Sequence, residues 1–188
     1  MPIKKSLLII GHPRSGKTTL GNMIADNRNF SMLTVDALIQ TFKAILPELG
    51  MHHEPEQSEA AFAPFLFKYM DWIMHKSVYR QYVIETCHVG PKSAEEMMNK
   101  DKYRLVVLGS PSLTPEQYAE AIRKNDKSFD WTAKKDDAEL LQIAESFINK
   151  ANQLKSECDD LGITFIDTSF DREEKFTKFV ESLDGFLA

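Results

Sequence analysis

Five short stretches of the chain are apolar at nearly every position, and between them apolar residues recur at intervals of three and four. The short stretches are Ser6 to Ile10, Ser31 to Val35, Gln81 to Glu85, Tyr103 to Leu108 and Ile163 to Ile166. Leu7-Leu8-Ile9-Ile10 and Leu105-Val106-Val107-Leu108 leave no polar face, the pattern of strands covered on both sides in a parallel sheet.

The intervening stretches read as helices with explicit ends. Thr114-Pro115-Glu116-Gln117 predicts a capping box with proline at the first helical position. Ser93 and Glu96 form a second such pair ahead of Met97. Asp136 and Glu139 open a long helix whose apolar stripe runs Leu140, Ala144, Phe147, Ala151, Leu154, Cys158 and Leu161, with Gly162 placed to end it. A last helix carries Phe176, Phe179, Val180 and Leu183 on one face.

Strands alternating with helices predict a doubly wound α/β sheet in one domain over residues 1–188. Two longer connections, residues 37–80 and 110–161, read as helical insertions. Both leave the carboxyl ends of strands, where open α/β sheets bind ligands.

Composition narrows the function classes. The net charge of −5 over 188 residues disfavours a nucleic-acid partner, which calls for clustered excess Lys and Arg. No run reaches the roughly 18 apolar residues of a membrane span. The apolar run Leu7 to Ile10 is too short for a secretory leader. Cys87 and Cys158 stand far apart in no metal-ligand spacing, as free thiols in a reducing compartment do. A cytoplasmic protein with no membrane partner is the expectation.

The strongest chemical signal follows the first strand. Gly11-His12-Pro13-Arg14-Ser15-Gly16-Lys17-Thr18 meets the G-x-x-x-x-G-K-[ST] pattern of a P-loop, with a helical stretch directly after it. Its glycines permit the turns that aim backbone N–H groups at phosphate, and the helix start adds more N–H groups and its positive dipole end. Lys17 reaches the β- and γ-phosphates and the Thr18 hydroxyl serves Mg2+. Arg14, Ser15 and Thr19 offer further donors. A guanine-reading Asn-Lys-x-Asp and an Asp-x-x-Gly switch are both missing from the sequence, which argues against a G-protein.

The layout resembles the small P-loop kinases: shikimate, gluconate and nucleoside-monophosphate kinases, and chloramphenicol phosphotransferase. Thr34-Val35-Asp36-Ala37-Leu38-Ile39 looks like the Val-Asp-x-Leu-Ile stretch of the last of these. The resemblance implies a three-layer α/β/α fold with a five-stranded parallel sheet ordered 2-3-1-4-5, and transfer of the ATP γ-phosphate, with Mg2+, to a hydroxyl of a small molecule. It makes Asp36 the catalytic base, a role the chemistry demands of some carboxylate. Asp36 reads equally as an N-cap. It also gives Glu85, at the third strand's end, a role at the metal, against that of a solvated strand-end carboxylate. Arg123 becomes the lid cation at the γ-phosphate, against that of a helix C-terminal charge.

By the same resemblance Asp167-Thr168-Ser169-Phe170 lies near adenine. The acceptor side falls to the insertion bearing Phe62, Phe65, Phe67, Tyr69, Trp72 and His75, where aromatic residues also read as core. His88 reads as a substrate contact or a hydrogen-bonded loop histidine. His52-His53-Glu54 resembles a fragment of a metal site without partner spacing. A non-catalytic or hydrolytic ATP-binding regulatory module is the alternative function.

Overall fold

The computed structural model describes residues 5–51, 55–76, 80–128 and 130–187. The five apolar stretches form strands β1 (Ser6–Gly11), β2 (Ser31–Thr34), β3 (Tyr82–Thr86), β4 (Tyr103–Gly109) and β5 (Thr164–Asp167). They lie in one sheet ordered β2-β3-β1-β4-β5 with every neighbouring pair parallel. Around it pack α1 (Lys17–Arg28), α2 (Asp36–Ile45), α3 (Pro55–Lys76), α4 (Pro91–Met97), α5 (Pro115–Asn125), α6 (Asp137–Leu161) and α7 (Arg172–Leu187).

Consecutive apolar residues are needed because each strand feeds two cores. Leu8, Ile10, Ile84, Leu105 and Val107 face one layer with Ile39, Phe62, Leu66, Ala94 and Leu154 from α2, α3, α4 and α6. Leu7, Ile9, Val83, Val106 and Leu108 face the other with Leu20 and Ile24 of α1 and Phe176 and Leu183 of α7. Each such buried side chain contributes roughly 1.5–3 kcal/mol of apolar transfer. Phe62 and Phe67 of the aromatic-rich insertion are core, whereas Trp72 is half exposed.

Helix starts follow the expected chemistry in two places and depart from it in a third. Thr114 and Gln117 bond reciprocally at the start of α5, and Asp136 and Glu139 do so at α6, which ends on a left-handed Gly162. Around residue 93 the helix starts earlier. Gly90 is the cap and Pro91 takes the first turn, with Glu59 of α3 accepting from the Gly90 N–H and from the Ser93 hydroxyl, each at 2.7 Å. Strand β2 ends at Thr34 because Val35 turns into the αR region and caps α2. No described helix is long and apolar enough to cross a membrane, and His52, His53 and Glu54 lie outside the described residues.

The parallel sheet places the ends of β1, β2 and β3 along one edge. The P-loop leaves β1, α2 leaves β2, and the Cys87–Gly90 loop leaves β3. Val35 N–H donates to the Glu85 carbonyl at 3.3 Å, tying the second tip to the third.

Candidate active site

The loop from Gly11 to Gly16 owes its path to its glycines. A Cβ on Gly11 would stand 2.5 Å from Ser15 Oγ and 2.6 Å from the Leu108 carbonyl oxygen. Gly16 sits at φ +97°, open to glycine and costly for other residues. Arg14 also has a positive φ of 65°. Ser15 N–H closes the loop onto the His12 carbonyl at 3.2 Å, and the Ser15 side chain is buried against Gly11.

Beside the loop opens a cavity of about 340 Å3. Gly16, Lys17, Thr18 and Thr19 form its floor, Arg14 and Arg172 add charge, and Tyr118, Ala121, Ile122 and Asn125 of α5 make one wall. Lys17 is 6% exposed and its Nζ donates to the His12 carbonyl at 3.0 Å. Three cations thus converge where the start of α1 presents its unpaired N–H groups, a complete anion-binding arrangement.

Arg123 does not line this cavity. Its guanidinium donates to the Lys135 carbonyl at 2.7 Å and to Asp137 at 2.9 Å. The reason is helical phase: the α5 positions that face the P-loop are 118, 121, 122 and 125, and residue 123 points toward α6. Among the described residues Arg14 and Arg172 are the arginines at the cavity, and Arg172, which no local motif marks, is brought there by the packing of α7 against α1. The Asp167–Ser169 loop is bound to the β4 side, with Thr168 on Ser110 and Asp167 on Ser112. The cavity wall is instead α5.

On the other side of Thr18 lies a buried carboxylate. Glu85 is 2% exposed, and its Oε1 accepts from the Thr18 hydroxyl at 3.2 Å. Burial holds its carboxyl above the usual carboxylate range; Lys17 opposes that shift and Asp36 reinforces it. Two hard oxygen donors at this spacing fit Mg2+, whose neighbouring octahedral ligands stand roughly 2.9 Å apart for bonds of about 2.0–2.1 Å.

Asp36 stands one step further out. It is the first residue of α2, following the cap position at Val35. Its side chain is 52% exposed, with Oδ1 3.8 Å from His88 Nε2 and 3.8 Å from Cys87 Sγ. His88 is 2% exposed, and its Nδ1 pairs with the Ser58 hydroxyl at 3.1 Å. Burial pushes the Cys87 thiol up to about 12, helped by Asp36 and Glu85 against Lys17, so the thiol is no nucleophile at neutral pH. Behind the P-loop, a cavity of about 30 Å3 is bordered by Gly11, His12, Cys87, Gly90, Glu59 and Lys150.

Two contacts tie the P-loop to the α5–α6 region. The Arg14 guanidinium pairs with Asp126, donates to Thr132 Oγ1 at 2.6 Å and lies 3.2 Å from Asp130. Thr132 is fully buried and donates to Asp126 at 2.6 Å. Arg14→Ala would strand the Asp126 carboxylate, whose side chain is only 7% exposed. We expect a loss of about 1–3 kcal/mol in urea unfolding, with the segment after α5 cleaved first in limited proteolysis.

His12 supplies the second contact. Its ring stacks on Phe147 of α6 with centroids 5.4 Å apart and meets Tyr118 edge-on at 6.0 Å. Nδ1–H donates to the Pro13 carbonyl at 2.7 Å, and Nε2 has no polar partner. Burial lowers the His12 pKa from 6.5 to about 3. The unfolded chain takes up a proton at this residue below pH 6.5 while the folded chain does not, so stability is lost as pH falls from there toward 3. Its share is about 2 kcal/mol between pH 7 and pH 5. His12→Gln should flatten the acid limb of unfolding free energy against pH by that amount, and an unchanged slope would refute it.

No family model matches the chain, and no curated protein matches it. Solved structures do match over nearly full length. A shikimate kinase from Bacteroides thetaiotaomicron aligns at 18% identity and TM-score 0.60, covering 97% of this chain and 98% of that one. A gluconokinase from Sinorhizobium meliloti 1021 aligns at 16% identity and TM-score 0.53, covering 97% of each. A shikimate kinase from Acinetobacter baumannii in complex with shikimate aligns at 15% and 0.57, over 100% and 97%. At such identities the likeness is one of fold.

Proposed function

We propose that this chain, which has the fold of the small P-loop kinases, is an ATP- and Mg2+-dependent phosphotransferase acting on a hydroxyl of a small molecule. The observation that carries the reading is the order of groups along the sheet edge. Lys17 and Thr18 are followed by buried Glu85, with Oε1 3.2 Å from Thr18 Oγ1, and then by the half-exposed carboxylate of Asp36. A module that only binds nucleotide needs the first pair, whereas a second carboxylate beyond the metal position serves to orient an attacking hydroxyl.

In this reading the triphosphate occupies the 340 Å3 cavity, and Lys17 leaves the His12 carbonyl to span the β- and γ-phosphates. Arg14 and Arg172 neutralise charge on the transferring group, as an arginine finger does. Thr18 and Glu85 hold Mg2+, which when bound offsets negative charge on the phosphate oxygens. Asp36 orients the acceptor hydroxyl and takes its proton. The supporting groups are fixed before substrate arrives, so catalysis comes from positioning and electrostatics. The 30 Å3 space behind the P-loop holds about one water, so α3 or α6 must shift to admit an acceptor.

The test is an ADP-release screen over polyols, sugars, nucleosides and hydroxylated antibiotics at fixed ATP and Mg2+. A hit must also yield a phosphorylated product by mass. Tight ATP binding with no product from any acceptor would favour the regulatory module.

A further inference from the structure

We propose that Asp36, Cys87 and His88 form a Zn2+ site, separate from the Mg2+ position at Thr18 and Glu85, and that an ion bound there switches off phosphoryl transfer. Their donor atoms, a carboxylate oxygen, a thiol sulfur and an imidazole nitrogen, all lie within 4.8 Å of one another. Asp36 Oδ1 is the shared corner, 3.8 Å from both Cys87 Sγ and His88 Nε2. For a tetrahedral ion bonded at about 2.0 Å to oxygen, 2.1 Å to nitrogen and 2.3 Å to sulfur, neighbouring donors stand roughly 3.3–3.5 Å apart. A contraction of a few tenths of an ångström would bring both Asp36 pairs to that spacing. An N–H···O hydrogen bond between His88 and Asp36 would require a larger one, to about 3.2 Å or less.

The donors come from two elements held in register. Asp36 opens α2, while Cys87 and His88 follow β3, and the Val35 N–H to Glu85 carbonyl bond of 3.3 Å joins the two chain segments. The His88 N–H is fixed on Thr86 Oγ1 at 3.0 Å, and Nδ1 pairs with Ser58. That pairing matches the outer partner a metal-bound histidine uses to orient its ring and keep its other nitrogen on the ion. With three protein donors and Asp36 half exposed, solvent can supply the fourth.

Ligand chemistry separates the two cation positions. Thiolate and imidazole select Zn2+ and similar borderline ions, whereas the hydroxyl and carboxylate of Thr18 and Glu85 suit Mg2+. On binding, the Cys87 sulfur gives its proton to solvent and the ion takes that proton's place between Sγ and Asp36 Oδ1. With the ion on Oδ1 the carboxylate's negative charge is largely neutralised, so Asp36 is a much weaker base toward an acceptor hydroxyl. That inhibitory consequence rests on the phosphotransferase reading; the binding itself does not.

The test uses Co2+ as a spectroscopic substitute on the full chain, with Zn2+ as competitor. The expected result is one equivalent bound, with a sulfur-to-cobalt charge-transfer band. The band should vanish in Cys87→Ser, and affinity should fall by at least about 10-fold in Cys87→Ser and in His88→Gln. Ser58→Ala should weaken binding by about 10–100-fold through ring orientation alone. Cys87 is only partly buried, so its serine variant guards against misfolding of the His88 variant. Full binding in Cys87→Ser, or its loss in a His52→Ala/His53→Ala double variant, would overturn the site.

With an acceptor in hand and Mg2+-ATP fixed, Zn2+ should slow transfer at the concentrations that fill the site. Cys87→Ser should need at least about 10-fold more. Binding without slowing overturns the switch. Cobalt bound as expected, in a protein that phosphorylates nothing, keeps the site and removes the phosphotransferase reading.

Discussion

Lys17→Ala should lower phosphoryl transfer by at least about 10³-fold and weaken ATP binding in the same variant. Lys17 lies on the floor of the cavity beside the P-loop, 6% exposed and directed by its bond to the His12 carbonyl along the loop. A charge in such a water-poor position acts with little screening. Removing a single aligned donor from a preorganised anion site typically costs 10²–10³-fold, and a full charge bridging two phosphates costs more. Arg14 also lines the cavity but is paired with Asp126 and Asp130, so its partly offset charge is a poor substitute. Calorimetry with ATP gives the binding term and the ADP-release assay the catalytic one. Transfer within 10-fold of wild type would mean that the cavity is not where phosphate is activated.

The second large effect separates binding from chemistry. Asp36→Asn should leave ATP affinity unchanged and lower turnover by roughly 10²–10⁴-fold, the usual contribution of a positioned base. Asp36 is half exposed at the first position of α2, and its contacts with Cys87 and His88, at 3.8 Å, are long ones. The amide therefore fits where the carboxylate stood at little cost in stability. The loss should appear in kcat, because the nucleotide cavity does not include residue 36. Unaltered kcat would dismiss Asp36 as base and leave the buried Glu85, beside Thr18, as the carboxylate to test next.

The two variants together read the sheet edge at its near and far ends. Paired loss of binding and turnover in the first, with loss of turnover alone in the second, is the pattern a phosphotransferase requires. A regulatory module would show the first and be indifferent to the second.

How much of this was legible before folding depends on how far apart the cooperating residues stand. The P-loop spans eight residues, so its spacing alone specifies a turn and an anion site. The capping pairs Thr114/Gln117 and Asp136/Glu139 are local in the same sense, and both form. The Ser93/Glu96 pair has the same pattern and does not form, because the helix already starts at Gly90 and Pro91, where Glu59 of α3 accepts the Gly90 N–H.

The cations at the cavity show the same limit. Arg123 had the right neighbourhood in sequence and the wrong face of α5, whereas Arg172 had no signal until α7 packed on α1. A 100° step along a helix decides such matters, and the sequence sets that step without saying which stripe faces the P-loop. The aromatic run of α3 met the same fate: its periodicity was plain, and packing made Phe62 and Phe67 core.

What the chain determined by itself was the doubly covered sheet, from consecutive apolar residues, and the tight loop after its first strand, from glycine spacing. Both rest on interactions among residues close along the chain or on burial of whole segments. The tertiary structure decided the rest: Glu85 on Thr18 across 67 positions, Arg14 tied to Asp126 across 112, and Asp36 beside Cys87 and His88. Those meetings depend on strand order and helix phase, which no short window of sequence contains.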